Sequence, residues 1–177
     1  MRFCFNIFNI KSLTIFTTII LIFSIGNKNT LQENRNTNDI EKVSNTIILK
    51  ENNEWKLEIP KINLEASICE GTSSDILNKY IGHFEETQRE NGNVVLAAHN
   101  RGYKVNYFQR LKELETGDIV FYTYLGSKRK YVINEKNIIK DTDVNVLQNT
   151  EDNIITLITC VENMPELRRC IKAIQTN

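Results

Sequence analysis

Apolar residues form one long block at the start of the chain and only short runs further along. Residues 3–25 are almost wholly apolar, and residues 13–25 carry no charge. Those residues alone make a helix of about 20 Å, whereas a bilayer core needs about 20 residues, so residues 7–12 must also enter the membrane. Arg2 and Lys11 precede the uncharged part, which favours a cytoplasmic N-terminus. The pattern predicts an N-terminal membrane helix over residues 1–26.

Two other interpretations of this block stay open. A cleaved signal peptide also has a basic start and a short apolar region. The residues that follow, Ser-Ile-Gly at 24–26 and Asn-Lys-Asn at 27–29, make a poor cleavage site. Both interpretations export the remainder of the chain. The third interpretation is a buried core helix.

A polar segment follows at residues 27–54. It is rich in Asn, Thr, Glu and Lys, and its one apolar cluster is residues 47–49. Such a composition buries too little surface to offset the entropy of the chain. We therefore predict a flexible stalk, with a short helix near residues 39–44.

Residues 55–177 have the pattern of a folded, mainly β domain. Apolar runs and alternating stretches predict strands at 56–59, 64–69, 93–98, 119–124, 130–135, 154–159 and 168–174. Helical spacing predicts a helix at 72–80 and a helical turn at 108–114, while 144–147 fits either a strand or a turn of helix. So many short strands suggest a closed antiparallel or mixed barrel, and periodicity alone does not exclude a sandwich.

Composition narrows the classes of function. Lys plus Arg and Asp plus Glu both number 22, so the formal net charge is zero. A neutral chain argues against non-specific nucleic-acid binding. Four cysteines are too few for a disulfide-built domain, and the two histidines limit any histidine chemistry to His83 or His99.

Side chains suited to catalysis lie at the ends of three predicted strands. His99 follows the run 94–98, Cys160 follows the run 154–159, and Arg168 with Arg169 opens the last strand. A neighbouring cation raises the thiolate fraction of a cysteine, and acyl transfer also needs a donor for the oxyanion. These residue types suffice for acyl transfer. The alternative is that Cys160 is a buried, inert cysteine.

The same residues match the motifs of a known family. Residues 156–160 (TLITC) resemble the sortase signature T-L-x-T-C, and residues 97–100 (AAHN) resemble the sortase histidine strand. Arg168, five residues before Ala173, resembles the arginine strand. Further matches are at residues 59–62 (IPKI), 70–72 (EGT) and 108–118. The resemblance covers residues 55–174, and the anchor and stalk complete the usual layout.

The resemblance implies a fold and an activity. The fold is a closed eight-stranded sortase-type β-barrel with one or two short helices, and the activity is that of a cysteine transpeptidase acting on an LPXTG-like sorting signal of secreted proteins. Cys160 would be the nucleophile, His99 the general acid and base, and Arg168 the group that holds the substrate and stabilises the oxyanion. The acceptor would be an amine of the peptidoglycan precursor or a pilin lysine. No nucleotide or organic cofactor is implied.

Several assignments keep an alternative. Arg169 would face the opposite side from Arg168 and competes with it for the arginine role. His83 occupies a position where many sortases have a Gly-His pair, and we interpret it as structural. Cys160 and Cys170 could form a disulfide in an exported protein, which would silence the nucleophile. We instead expect Cys69 and Cys170 to be small core residues.

The acidic residues leave a calcium site as an alternative. Some sortases bind calcium, and the residues that could supply oxygen ligands are Glu85, Glu86, Asp141, Asp143, Glu151 and Asp152; solvated carboxylates are the favoured interpretation.

The compact domain resembles class A or class D. We expect a plasma-membrane enzyme of a Gram-positive cell with an extracellular catalytic domain. The rivals are a pilin-polymerising sortase, a secreted cysteine protease and a non-catalytic membrane-tethered barrel. Specificity is expected in the segment before Val144 and in residues 64–81.

Overall fold

A computed structural model of the protein describes residues 54–176, which form a closed barrel of eight strands. The strands are β1 (Trp55–Ile59), β2 (Leu64–Glu70), β3 (Ile81–His83), β4 (Asn93–Ala97), β5 (Ile119–Tyr124), β6 (Ser127–Lys140), β7 (Ile154–Val161) and β8 (Met164–Gln175). One short α-helix, α1 (Ser74–Leu77), and 3₁₀ turns at Pro60–Ile62, Leu111–Glu113 and Val144–Leu147 complete this region.

The predicted membrane helix at residues 1–26 and the predicted stalk at residues 27–54, apart from Glu54, lie outside the described residues. Within residues 54–176, no helix is long and apolar enough to cross a membrane.

The strand order around the barrel is β1-β2-β3-β4-β7-β8-β6-β5, and β5 closes onto β1. The pairs β2–β3 and β4–β7 are parallel, and the other pairs are antiparallel. This closure confirms the predicted mixed barrel and excludes the sandwich.

Side chains alternate between the barrel interior and its outer wall. On β7, Ile155 and Leu157 are fully buried in the core, and on β8 Ile171 and Ala173 join them. Because successive strand residues point to opposite faces, Cys160 must lie on the outer wall, in the same set as residues 156 and 158.

The structure differs from the sequence prediction at three elements. The helix predicted at 72–80 is reduced to the four residues of α1, because the chain after it enters β3, a strand that the sequence pattern did not predict. Only three residues long, β3 is held by pairing with both β2 and β4. The strand predicted at 130–135 is the middle of β6, which runs from Ser127 to Lys140.

The strands predicted at 154–159 and 168–174 are both longer in the structure. β7 continues to Val161 and β8 starts at Met164, so a turn of Glu162 and Asn163 joins them. Asn163 has a φ of 60°, a left-handed value that asparagine tolerates better than most residues. The reason for the longer strands is pairing: after a register shift between Ile133 and Glu135, β6 and β8 stay paired as far as Lys140 and Leu167.

Candidate active site

Three of the sequence-predicted site residues lie on neighbouring strands at one end of the barrel. β4, β7 and β8 are consecutive in the sheet. Cys160 on β7 pairs directly with Arg168 on β8. β4 and β7 are parallel with Ala97 opposite Ile158, and the same register two residues further on sets His99 beside Cys160. The fold therefore brings His99, Cys160 and Arg168 into one row across three strands.

Two side-chain hydrogen bonds hold the chain beyond β4 against β7. Thr159 Oγ1 donates to the carbonyl of Ala98 at 2.7 Å, and Asn100 Nδ2 donates to the carbonyl of Cys160 at 3.0 Å. One bond lies just before His99 in the chain and the other just after it, so His99 and Cys160 stay side by side after backbone pairing has ended. The sequence analysis had assigned no role to Asn100, because a side chain bonded to a distant carbonyl leaves no local pattern.

Cys160 carries a free thiol on an exposed residue. Cys170 is also free and is buried on the next strand, so the disulfide between them does not form. Burial raises the pKa of the Cys170 thiol to about 11, which keeps it protonated and unreactive near neutral pH. As expected, Cys69 and Cys170 are buried. Of the two thiols free in this region, only that of Cys160 is exposed.

His99 is shielded from water more than its place beside an exposed cysteine would suggest. Its ring stacks on that of Tyr103, with ring centroids 3.5 Å apart and planes within 5° of parallel. Its Nε2 is buried and makes no hydrogen bond within the described residues. Burial lowers the pKa of His99 below its ordinary value because it disfavours the charged imidazolium. The imidazole is therefore mainly neutral at neutral pH and has a free nitrogen.

Arg168 lies on the same outer face as Cys160, but its guanidinium is already occupied. Its Nη1 donates to the backbone carbonyls of Pro165 and Leu167 at 2.6 and 2.9 Å. Its Nη2 lies 3.7 Å from a carboxylate oxygen of Asp141. The guanidinium has five donors, so further donors are available to a substrate.

Arg169 points to the other side of the sheet. It pairs with Thr159, whose buried side chain lies on the opposite face from the thiol of Cys160. The carboxylate of Glu162 in the β7–β8 turn has a lowered pKa, mainly because Lys112 donates to it, with a smaller contribution from Arg169. Only Arg168 thus shares the face of the candidate nucleophile.

His83 lies outside this row and has the surroundings of a structural residue. It is fully buried on β3; its Nδ1 is 2.8 Å from Glu70 Oε1, and its Nε2 is 2.9 Å from the carbonyl of Gln88. Arg89 donates to the other carboxylate oxygen of Glu70 at 2.7 Å. Burial alone would raise the pKa of Glu70, but the bonds from His83 and Arg89 outweigh it and hold that pKa below its ordinary value.

The carboxylates considered as calcium ligands do not come together. No group of three or more His, Cys, Asp or Glu side chains within residues 54–176 is arranged to hold a metal ion. Asp141 faces Arg168, and Asp143 accepts a hydrogen bond from the backbone of Asn145 at the start of a 3₁₀ turn.

A polar cavity of about 130 Å³ lies further along the same outer wall. Its floor includes Thr156 of β7 and Lys172 of β8, and its rim is the segment 145–150 that follows β6. Asn93 of β4 fixes this rim by donating to the carbonyls of Val146 and Gln148 at 2.8 and 2.9 Å, while Thr156 donates to Asn93 at 2.7 Å. The lining of this cavity includes no residue of the two segments in which specificity was expected, and the contacts of Asn93 were not predicted.

Comparison with known proteins gives a consistent result. A family model described as a sortase domain matches residues 57–173. Sortase D of Bacillus subtilis is 38% identical over 108 residues, which cover 59% of this chain and 52% of the relative. Sortase A of Staphylococcus aureus is 31% identical over 109 residues, covering 59% of this chain and 53% of that one. The chain thus spans about half the length of these curated relatives.

Solved structures show the same fold. Sortase C from Clostridium perfringens SM101 superposes with a TM-score of 0.62 at 27% identity, covering 69% of this chain and 68% of that one. Sortase A from Corynebacterium diphtheriae gives a TM-score of 0.66 at 23% identity, covering 70% of this chain and 60% of that one. The described domain therefore shares its fold with these solved structures.

Proposed function

The chain belongs to the sortase family, and from that premise we propose that it is a cysteine transpeptidase that cleaves an LPXTG-like sorting signal of secreted proteins and joins them to an amine of the cell wall. The observation that supports this most is the row of His99, the exposed Cys160 and Arg168 on one outer face of β4, β7 and β8. Such a row supplies a nucleophile, a proton carrier and an anion donor.

In the first half of the proposed reaction, neutral His99 takes the proton of the Cys160 thiol, and the resulting thiolate attacks the carbonyl carbon of the scissile peptide bond. The tetrahedral intermediate collapses when the carbon–nitrogen bond breaks, and the imidazolium of His99 gives its proton to the leaving amine. The products of this half are a thioester on Cys160, a free amine and a neutral His99.

In the second half, an acceptor amine attacks the thioester. Neutral His99 takes the proton that the amine loses, the carbon–sulfur bond breaks, and the thiolate of Cys160 leaves. The lowered pKa of His99 favours this half, because most of the imidazole is already neutral at neutral pH. We propose a peptidoglycan precursor as the acceptor, with a pilin lysine as the alternative.

Arg168 is proposed to stabilise the oxyanion in both halves. Its cross-strand pairing with Cys160 brings the two backbones to adjacent positions. Contacts with the carbonyls of Pro165 and Leu167 leave donors of the guanidinium for the substrate. A fixed cation near a developing negative charge typically stabilises the transition state by a few kcal/mol.

The sorting signal is proposed to lie along the outer wall between Cys160 and the polar cavity. Thr156 in the cavity floor precedes Cys160 by four residues on one strand, about 13 Å at about 3.3 Å per residue. An extended peptide of four residues has the same length, so the residues before the scissile bond can reach from the thiol to the cavity.

We also propose that the enzyme is a single-pass protein of the plasma membrane with its catalytic domain outside the cell. This rests on the apolar, uncharged residues 13–25 and on Arg2 and Lys11 before them. Protease treatment of intact Gram-positive cells that express the full-length chain should degrade residues 55–177. Protection of that region would contradict this orientation.

The central test uses the full-length protein with an LPXTG-type peptide and an amine such as triglycine. We expect an amine-dependent ligation product by mass spectrometry, and a trapped thioester on Cys160 when the amine is withheld. Cys160→Ala should abolish both signals. Cys170→Ala is the matched control, since it removes the buried thiol of the next strand, and it should retain activity if the variant folds.

The rival functions have different outcomes in the same assay. Cleavage without any amine-dependent product would indicate a cysteine protease. Absence of a thioester across a panel of sorting motifs would indicate a non-catalytic barrel. Ligation to a pilin lysine in preference to triglycine would indicate a pilin-polymerising sortase.

A further inference from the structure

The ring of Tyr103 lies flat against the imidazole of His99. The ring centroids are 3.5 Å apart and the planes differ by 5°, so almost the whole of one imidazole face is covered. Tyr103 is itself 52% exposed, so it contributes little to the barrel core. A large aromatic side chain left half in water, yet packed closely on a candidate catalytic ring, needs a reason other than burial.

The segment that carries Tyr103 is built to hold it there. Asn106 accepts a hydrogen bond from the backbone N–H of Tyr103 at 3.3 Å and donates one to its carbonyl at 2.7 Å. Gly102, with a φ of +81°, allows the chain to turn immediately before the tyrosine. The backbone around the aromatic ring is therefore fixed on both sides, and the position of the ring does not depend on the stack alone.

The same segment is fastened to the rest of the site at three more points. Asn100 donates to the carbonyl of Cys160, and Arg101 donates to the side chain of Asn163 in the β7–β8 turn. The N–H of Phe108, which is fully buried, donates to the carbonyl of His99 at 3.1 Å and closes the loop. Residues 100–108 thus form a braced loop over His99.

The hydrogen bonding of the His99 side chain is consistent with a loop that holds the ring in place. Its Nε2 is buried but makes no hydrogen bond within the described residues, so this nitrogen does not fix the orientation of the ring. A catalytic imidazole usually receives its orientation from a hydrogen bond to one of its nitrogens. In this site, the aromatic stack is the contact available for that task.

We infer that Tyr103 is a positioning residue for His99, whose ring holds the imidazole in one plane beside Cys160 and keeps water from one of its faces. The inference rests on the proposed role of His99 in acid and base catalysis. The aromatic face of Tyr103 holds the imidazole, because the contact is between the planes of the two rings. The hydroxyl group is therefore expected to be dispensable.

The kinetic test compares Tyr103→Phe and Tyr103→Ala in the full-length protein by transpeptidation. Phenylalanine keeps the face of the ring, so kcat should stay within about twofold of the parent value. Alanine frees the imidazole and should lower kcat about tenfold while KM changes less than about twofold. Phe121→Ala is the matched control, since it removes an aromatic ring from β5, away from the site, and should leave both constants unchanged.

The second readout needs no substrate. The chain has two histidines, so NMR of protein labelled at histidine should give two signals, which His99→Gln assigns. In Tyr103→Ala, the titration midpoint of His99 should rise toward its ordinary value, because the burial that lowers it is relieved. In Tyr103→Phe it should stay, and in both variants the His83 signal should keep its native chemical shift as an internal check on folding.

The two readouts separate this inference from the proposed function. If the parent protein ligates no peptide, the proposed function fails, and the titration still decides whether Tyr103 controls His99. A His99 midpoint that is the same in Tyr103→Ala and the parent overturns the inference. So does an alanine variant that raises KM with kcat unchanged, since that pattern belongs to a residue that contacts the substrate.

Discussion

At the scale of single residues, the three site side chains differ in how ready they are to react. Cys160 is exposed and free, so a substrate can reach it. His99 is partly buried, and its pKa is lowered for that reason. Arg168 is bound to Asp141 and to carbonyls of its own strand, so its guanidinium must adjust to serve an oxyanion at Cys160.

The lowered pKa of His99 predicts the acid side of the pH profile. As the pH falls, His99 becomes protonated and can no longer accept the proton of the Cys160 thiol. The acid limb of kcat/KM should therefore have a midpoint below about 6.5, the ordinary value for histidine. Initial rates of ligation between pH 4 and 9 measure it. A midpoint above 7 would contradict the burial of His99.

The two adjacent arginines predict different kinetics. Arg168→Ala should lower kcat/KM at least about 100-fold, because it removes the cation on the face of Cys160. Arg169→Ala should lower it less than about fivefold, because that side chain faces the other side of the sheet. Steady-state ligation kinetics of the two variants provide the comparison, and an inactive Arg169→Ala beside an active Arg168→Ala would reverse our assignment.

At the scale of elements, the site depends on where strands end and on what fastens the segments between them. The segment after β6 is held by Asn93, a 3% exposed residue whose amide binds two of its carbonyls. The sequence pattern predicted β4 and β7 because both are continuous apolar runs. The length of β6 and β8 was not predicted, because the ends of these strands next to the turns are mostly exposed and show no regular alternation, and they owe their extended form to pairing with each other.

Loss of the Asn93 contacts is therefore expected to weaken substrate binding. Asn93→Ala leaves two carbonyls and the hydroxyl of Thr156 without their partner and loosens the rim of the cavity. We expect KM for the sorting peptide to rise about tenfold with a smaller change in kcat. Asn137→Ala, on the exposed part of β6, is the control variant. An unchanged KM in a folded Asn93→Ala protein would show that the rim does not contact the peptide.

At the scale of the whole molecule, closure of the barrel depends on its shortest strand. β3 contributes three residues between β2 and β4. His83 on β3 is bound to Glu70 on β2, and Arg89 binds the same carboxylate. This cluster joins β2 and β3, which are paired over only three residues, and it gives His83 the structural role that the sequence analysis expected.

The Glu70 cluster predicts a pH-dependent contribution to stability. The folded-state pKa of Glu70 is lowered, so its contribution is present above the unfolded-state pKa near 4.5 and is lost as the pH falls through the folded-state pKa. Glu70→Gln should reduce the free energy of unfolding by about 2 kcal/mol at pH 7. Urea titrations at pH 7 and pH 3.5 should show a smaller loss of stability on acidification for the variant. Equal losses in both proteins would contradict the role of this carboxylate.

The sequence by itself determined what could react and which strands would be buried. Apolar runs ending at His99 and Cys160 were visible because burial on both faces of a strand requires continuous apolar residues. Motifs around those residues and Arg168 were enough to indicate the family and the barrel. Only the tertiary structure decided which arginine shares a face with the thiol, that Tyr103 covers His99, and that Asn93 holds the rim of the cavity. These contacts join residues far apart in sequence or depend on the direction of side chains, and neither leaves a periodic signal in the chain.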